Sequence, residues 1–226
     1  MNESNESQSP NQSIGESANG LRLAVFASGG GSNFQSILDA IDRGDLVATV
    51  ALVVTDRDGI GALDRATQHG IPTAILRPAD FAGPEEFGGA LLEALDRHGV
   101  TFVALAGYLK HVPVAVVRAF RHRMLNVHPS LLPAFGGPGF YGRRVHEAAL
   151  DYGVRWSGAT VHLVDEEYDT GPIVLQDVVP VRPDDTPDTL AARVLAVEHR
   201  LYPEALRLFA EGYVRVEGRR VHISDD

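Results

Sequence analysis

The sequence predicts an α/β protein: a doubly wound, mostly parallel sheet with helices on both faces. Three observations carry that expectation. Short apolar runs alternate with segments of helical period over the first two thirds of the chain. The first apolar run ends in a glycine turn that opens a helix. Four segments of unusual composition (28–33, 107–111, 126–128 and 165–171) fall at the expected carboxyl ends of strands, where such sheets bind ligands.

The elements follow in order. Residues 21–27 are an apolar run ending in SGGGSN at 28–33. Phe34, Ile37, Leu38 and Ile41 then recur at helical spacing, the opening of a βαβ unit. A second strand over 47–54 is closed by TDRDG. A short helix over 62–69 is stopped by Gly70, and a third strand over 73–76 follows Pro72. Pro84 suits the first turn of a helix whose apolar positions include Phe87, Leu91, Leu92 and Leu95. A fourth strand over 101–106 leads through GYLKH into a helix over 113–120. The fifth strand ends near Val127, because Pro129 has no N–H to give a central ladder. A Gly-rich loop over 134–144, a helix over 145–152 and an alternating strand over 157–164 come next. An acidic loop over 165–171 and a strand over 173–181 follow, with room for an antiparallel member among these later strands. Thr186, Pro187 and Asp188 cap a long helix carrying Leu190, Val194, Leu195, Val197, Leu201 and Leu206. Residues 213–223 read as a terminal hairpin.

Composition narrows the function. Residues 1–20 are polar and Ser/Asn-rich, with three Glu and no Lys or Arg, and read as a disordered tail. Residues 21–226 then form a single domain. The net charge of −10 argues against nucleic acid as a partner. With no cysteine there are no disulfides, thiolate nucleophiles or cysteine metal sites. The nine histidines are scattered without tight ligand spacing, so no metal is expected. No signal-like segment and no apolar run of roughly 20 residues is present, so a soluble, cytoplasmic protein is expected, with no membrane partner.

The glycine turn fails the dinucleotide pattern because Phe34 stands where the third glycine belongs, and it lacks the Lys-Ser/Thr of a P-loop. It is either a tight strand-to-helix turn or a cradle for one phosphate monoester. The donors on Ser32 and Asn33 favour the cradle. Asn126 and His128 are two apart at a strand end and so project to one side. An amide donor beside a titratable imidazole suits stabilisation of a developing oxyanion and proton donation. The alternative is a hydrogen-bonded histidine in a Pro-bounded loop. G-x-S-x-G is absent, which disfavours a serine hydrolase.

The string NVHPSLLP at 126–133 resembles the core motif of the folate-dependent formyltransferases. A second block, G-x-x-x-His at 158–162 followed by an acidic loop and Asp169-Thr170-Gly171-Pro172, resembles the same family. The likeness spans about residues 21–209. It implies a Rossmann-like formyltransferase fold and transfer of a formyl group from 10-formyltetrahydrofolate to the glycine amine of 5-phosphoribosylglycinamide, without a covalent enzyme intermediate. On the matched positions Asn126 is the oxyanion donor and His128 the proton donor. Asp169 is the carboxylate that charges and orients the imidazole, raising its pKa, with Asp165, Glu166 and Glu167 as fallbacks. Gly31, Ser32 and Asn33 match the phosphate segment. Glu198 matches a ribose contact, or is an ordinary exposed helix residue. Leu109, Lys110, His111 and Val112 match the folate-binding turn, beside Asn126, with Leu105 and Tyr108 lining the same cavity.

The chain departs from the commoner pattern in a longer glycine loop at 136–142, which leaves the role of that loop and of His146 open. Leu109-Lys110 stands for a frequent Met-Arg. The sibling methionyl-tRNA formyltransferases carry an extra tRNA-binding domain, and the deformylases an N-terminal regulatory domain. A deformylase (a hydrolase) and a non-catalytic folate- or phosphate-binding module remain as alternatives. Monomer and homodimer are both compatible with the sequence.

Overall fold

The computed structural model describes residues 20–224. The expected tail, Gly20 apart, lies outside the described residues. The chain runs β1 (Leu21–Phe26), α1 (Ser32–Asp42), β2 (Ala48–Thr55), α2 (Gly61–Gln68), β3 (Thr73–Ile75), α3 (Pro84–Arg97), β4 (Phe102–Leu105), α4 (Val114–Ala119) and β5 (Met124–His128). It continues through α5 (Arg143–Tyr152), β6 (Trp156–Leu163), β7 (Ile173–Pro180), α6 (Pro187–Ala210), β8 (Val214–Glu217) and β9 (Arg220–Ile223).

Seven strands form one sheet in the order β3-β2-β1-β4-β5-β6-β7, and β8 and β9 make a separate hairpin. The first five pair in parallel, while β6 is antiparallel to β5 and to β7. β1 explains why helices cover both faces. Leu23 and Val25 pack with Phe34, Ile37 and Tyr202, whereas Ala24 and Phe26 pack with Phe87, Leu91 and Val116. A strand apolar on both sides must be buried on both. Each such Leu or Phe contributes about 1.5–3 kcal/mol of burial.

Local chemistry sets the helix starts. α1 begins after Gly31, whose φ of 74° lies in the left-handed region. A Cβ there would stand 2.9 Å from the Ala62 Cα, so α2 packs against the turn only because this residue is glycine. α6 opens with reciprocal bonds between Thr186 and Thr189 and with Pro187 in its first turn. From α6 the buried Tyr202 hydroxyl is shared between the Leu105 and Leu125 carbonyls, 3.0 Å from each, pinning the helix to β4 and β5.

Two expectations need correction. Residues 157–164 do not alternate in exposure, since β6 is buried from Ser157 to Leu163. Ala159, Val161 and Leu163 join the core that α6 fills, and Thr160 on the opposite face is capped by the Ser130 carbonyl and the Leu132 N–H. Nor does the 165–171 loop leave the sheet at the ligand-binding edge. β6 runs antiparallel, so its end at Leu163 pairs with Leu125, three residues short of His128. The loop has to climb back along β5 to reach the site.

Candidate active site

A cavity opens beyond the carboxyl ends of β4 and β5, at one side of the β1/β4 switch in strand order. Asn126 and His128 project into it together, as their spacing requires. His128 is nearly buried. Its Nε2 lies 2.8 Å from the Phe135 carbonyl, which can only accept, so Nε2 carries the hydrogen. That leaves Nδ1 as the titrating nitrogen, 3.6 Å from Asp169 Oδ2.

Asp169 sits at φ 57°, a left-handed backbone that aspartate tolerates better than most residues and one that often marks functional sites. Its Oδ2 accepts the Gly137 N–H at 2.8 Å. Its Oδ1 faces His162 Nε2 at 3.6 Å and the Asn126 amide at 3.5 Å. One loop therefore holds both partners: its Phe135 carbonyl fixes His128 and its Gly137 amide fixes Asp169. The glycine loop left open by the sequence thus supports the cluster, and residues 137–142 line the cavity.

His162 completes the arrangement. Its Nδ1 donates to the Leu163 carbonyl at 2.9 Å, so Nε2 is free to accept from Asn126 Nδ2 at 3.1 Å. Asn126 thus has one N–H well bonded and a second only weakly held toward Asp169. Of the four acids in the loop, Asp169 is the one paired with His128 among the described residues. Glu166 is bound to Arg118 at 2.8 Å, and Asp165 accepts from Thr170 at 2.5 Å.

Burial pushes the His128 pKa below its ordinary value, only partly opposed by Asp169 and the Phe135 carbonyl, with His162 adding to the depression. The expected upward shift is therefore overturned in sign: the carboxylate is present, but desolvation outweighs it. Asp169 moves the other way. Burial raises its pKa, yet the charge that His162 and His128 carry when protonated, together with the Gly137 N–H, outweighs burial and holds it below the usual carboxylate value. His146, on α5, is buried with Nδ1 unpartnered; burial first, and then His128, lowers its pKa.

The expected folate segment reaches the same cavity. Leu109, Lys110, His111 and Val112 line it with Leu105 and Tyr108. The His111 ring nitrogen donates to the Glu166 carbonyl at 3.1 Å, joining this turn to the acidic loop. Gly31, Ser32, Asn33 and Glu198 do not line this cavity. Asn33 and Glu198 are brought together, with Asn33 Nδ2 donating to Glu198 Oε2 at 2.6 Å. Glu198 is 8% exposed and not an ordinary surface residue. Burial raises its pKa against the opposing Asn33 bond. Ser32 opens on a separate polar depression with Gln35, Arg65 and His199. Arg65, which donates to the Gly30 carbonyl at 3.0 Å, was not foreseen. Neither were His162 as a bonded partner of Asn126 and the Ser28–Asp56 pair beside the 107–112 turn. Among the described residues no group of three or more His, Cys, Asp or Glu is arranged to hold a metal, and no helix is long and apolar enough to cross a membrane.

A doubly wound sheet carrying a buried imidazole at a strand end, with a half-buried amide and a half-buried loop carboxylate beside it, defines an α/β protein equipped to donate to a developing oxyanion and to move a proton beside it. The formyl transferase family model matches residues 21–206, and the chain belongs to that family. It is 47% identical over 199 residues to the chloroplastic phosphoribosylglycinamide formyltransferase of Arabidopsis thaliana, covering 86% of this chain and 67% of that protein. It is 38% identical over 207 residues to the trifunctional purine biosynthetic protein adenosine-3 of Bos taurus, covering 91% of this chain but only 20% of that protein. The crystal structure of glycinamide ribonucleotide transformylase 1 from Symbiobacterium toebii superposes with a TM-score of 0.87 at 44% identity, covering 92% of this chain and 96% of that one.

Proposed function

We propose that the chain is a phosphoribosylglycinamide formyltransferase, moving a formyl group from 10-formyltetrahydrofolate to the glycine amine of 5-phosphoribosylglycinamide in de novo purine biosynthesis. The observation that carries this reading is the Asn126–His128–Asp169 cluster, lying within the family match and beside the 109–112 turn. The cavity suits the donor. Leu105, Tyr108, Val112 and Val164 give an apolar wall, and the backbone of 109–112, apart from the Leu109 N–H that Ser28 holds, offers donors and acceptors to a flat heteroaromatic ring.

10-Formyltetrahydrofolate supplies the formyl group, carried on a nitrogen. The chain's residues do the rest by position and charge. The weakly held N–H of Asn126 serves a carbonyl oxygen as negative charge builds on it. The amine nitrogen bonds to the formyl carbon and the bond from that carbon to the folate nitrogen breaks; His128 gives its Nδ1 proton to the departing nitrogen and takes up the proton that the amine sheds. Asp169 favours that proton, and the tie from His128 to Phe135 keeps the ring in the productive tautomer. On the amine side, Ser32, Asn33 and Arg65 take the phosphate and Glu198 the ribose hydroxyls. β1 and β5 stand two places apart in the sheet, roughly 10 Å, a span that a phosphoribosyl unit bridges.

The partners are small molecules. Monomer or homodimer, no nucleic acid and a cytoplasmic setting complete the proposal. The test is tetrahydrofolate release from 10-formyltetrahydrofolate with and without phosphoribosylglycinamide. Turnover only with the amine supports the transferase. Turnover without it assigns a deformylase, and binding of both ligands with no turnover assigns a binding module.

A further inference from the structure

Beneath the folate-side turn lies a buried carboxylate that the proposed chemistry does not use. Asp56, just beyond β2, has a side chain only 3% exposed. Its Oδ1 accepts the Ser28 hydroxyl at 2.6 Å, and its Oδ2 accepts Arg57 Nη2 at 2.8 Å. Ser28, just beyond β1, then works in two directions. Its Oγ accepts the Leu109 N–H at 3.0 Å while its own N–H donates to the Gly107 carbonyl at 3.1 Å. A hydroxyl has one hydrogen, so committing it to Asp56 aims the oxygen lone pairs at the Leu109 amide. Lys110 Nζ stands 3.7 Å from the same carboxylate. Burial alone would raise the Asp56 pKa, but the bonds from Arg57 and Ser28 outweigh it and keep the group ionised. Three strand ends in a row, β2, β1 and β4, are thereby tied beneath the 107–112 turn.

We propose that Asp56 is a positioning residue for the folate-side turn, acting through the Ser28 hydroxyl on the Leu109 amide and through its charge on Lys110 at the cavity rim. Asp56 does not line the cavity, so its effect on the ligand is indirect. The inference rests on the reading of that cavity as the 10-formyltetrahydrofolate site. It predicts a lopsided kinetic defect, weaker donor binding with the amine side intact.

The experiment compares Asp56→Asn, Asp56→Ala and Ser28→Ala with the unaltered chain. It measures KM for each substrate and direct binding of 10-formyl-5,8-dideazafolate, a stable donor analogue, by titration calorimetry. Asp56→Ala and Ser28→Ala should each raise KM for the donor and weaken analogue binding roughly tenfold, the scale of a lost charge-assisted hydrogen bond. KM for phosphoribosylglycinamide should stay within about twofold. Asp56→Asn keeps an oxygen for the Ser28 hydroxyl and should recover part of the loss. Unchanged analogue binding in Ser28→Ala overturns the inference, as does an equal loss on both substrates. Ser28→Ala removes a single oxygen and so keeps the comparison decisive if Asp56→Ala does not fold. If the unaltered chain itself fails to bind the analogue, the reading of the cavity falls and takes this inference with it. Binding by the unaltered chain with equal binding by the variants rejects the inference alone.

Discussion

The Phe135 carbonyl accepts from His128 Nε2 at 2.8 Å and so decides which nitrogen of that ring can titrate. Phe135 itself sits at φ 52°, and the same loop turns two residues later to present the Gly137 N–H to Asp169. The imidazole and its carboxylate are thus set by one backbone segment. Substitutions in that segment should read out in catalysis, even where they add or remove no charge.

Gly136→Ala tests this directly. A Cβ at this position would collide with a Leu132 methyl and stand 3.3 Å from the Asp169 Cβ. Leu132 is buried, so the strain falls on the loop and on Asp169. kcat should fall at least tenfold, with about 1–3 kcal/mol lost from stability as typical overpacking. Steady-state kinetics with a thermal melt checks both numbers. Wild-type kcat would detach the loop from the cluster.

Asn126→Ala should lower kcat by roughly 10²–10³, the range for a lost oxyanion donor, while the fold survives. The truncation also leaves His162 Nε2 without its 3.1 Å donor. Substrate binding should persist, because the charge on Asp169 and the 109–112 turn are untouched. Near-normal turnover in the variant would end the assignment of Asn126.

Much of this was legible in the chain, and the exceptions have physical causes. The Asn126/His128 pair could be read because strand period fixes i and i+2 to one side and Pro129 fixes the strand end. The climbing loop was not, because periodicity does not encode strand direction, and β6 reverses it. The sequence predicts a carboxylate that raises the His128 pKa, and Asp169 does pull it up; the net shift is nonetheless downward, because sequence names neighbours and not the depth of burial that outweighs them. In the sequence Asp56 is only one residue of a turn closing a strand. The burial of Glu198 has a signal in the sequence, since the residue falls between Val194 and Leu201 on the apolar stripe of α6, where a charge has to be buried.

Tyr202→Phe probes the frame beneath the site. The hydroxyl is fully buried and shared by two carbonyls, so its loss leaves both Leu105 and Leu125 oxygens short of a donor. The cost should be about 1–3 kcal/mol, or roughly 2–4 °C in melting temperature for each kcal/mol at this chain length. kcat should change less than twofold. A large kcat loss at normal stability would mean that the strand ends move with this bond.

Glu198→Gln should separate stability from binding. Burial raises the Glu198 pKa, so the folded state binds a proton more tightly than the unfolded state. Stability associated with this group is full below the unfolded value and is lost as pH rises through the folded one. Glutamine can still accept from Asn33 but has no charge to bury. At neutral pH the variant should therefore melt higher than the parent, the gap closing toward acid pH. KM for phosphoribosylglycinamide should rise about tenfold if the carboxylate meets the ribose. A lower melting point at neutral pH would refute the buried-charge argument.

Asp169→Asn bears on the core of the mechanism. In the proposed mechanism the attacking amine is deprotonated, which sets the acidic limb of the pH–rate profile, and His128 is protonated, which sets the basic limb. Burial already holds the His128 pKa below its ordinary value, so the basic limb should lie low in the parent enzyme. Asp169 is the nearest group working against that depression, 3.6 Å from Nδ1. Asparagine keeps the shape and removes the charge, so the His128 pKa should drop further. kcat should fall, and the basic limb should move to lower pH while the acidic limb stays, measured with saturating substrates. His162 and His146 both act on the same region, His162 lowering His128 directly and His146 sensing its charge. Repeating the profile in His146→Asn shows whether His146 contributes to the limb. A basic limb that does not move in Asp169→Asn would mean that the carboxylate orients His128 without charging it. Kinetic loss would then appear at every pH alike.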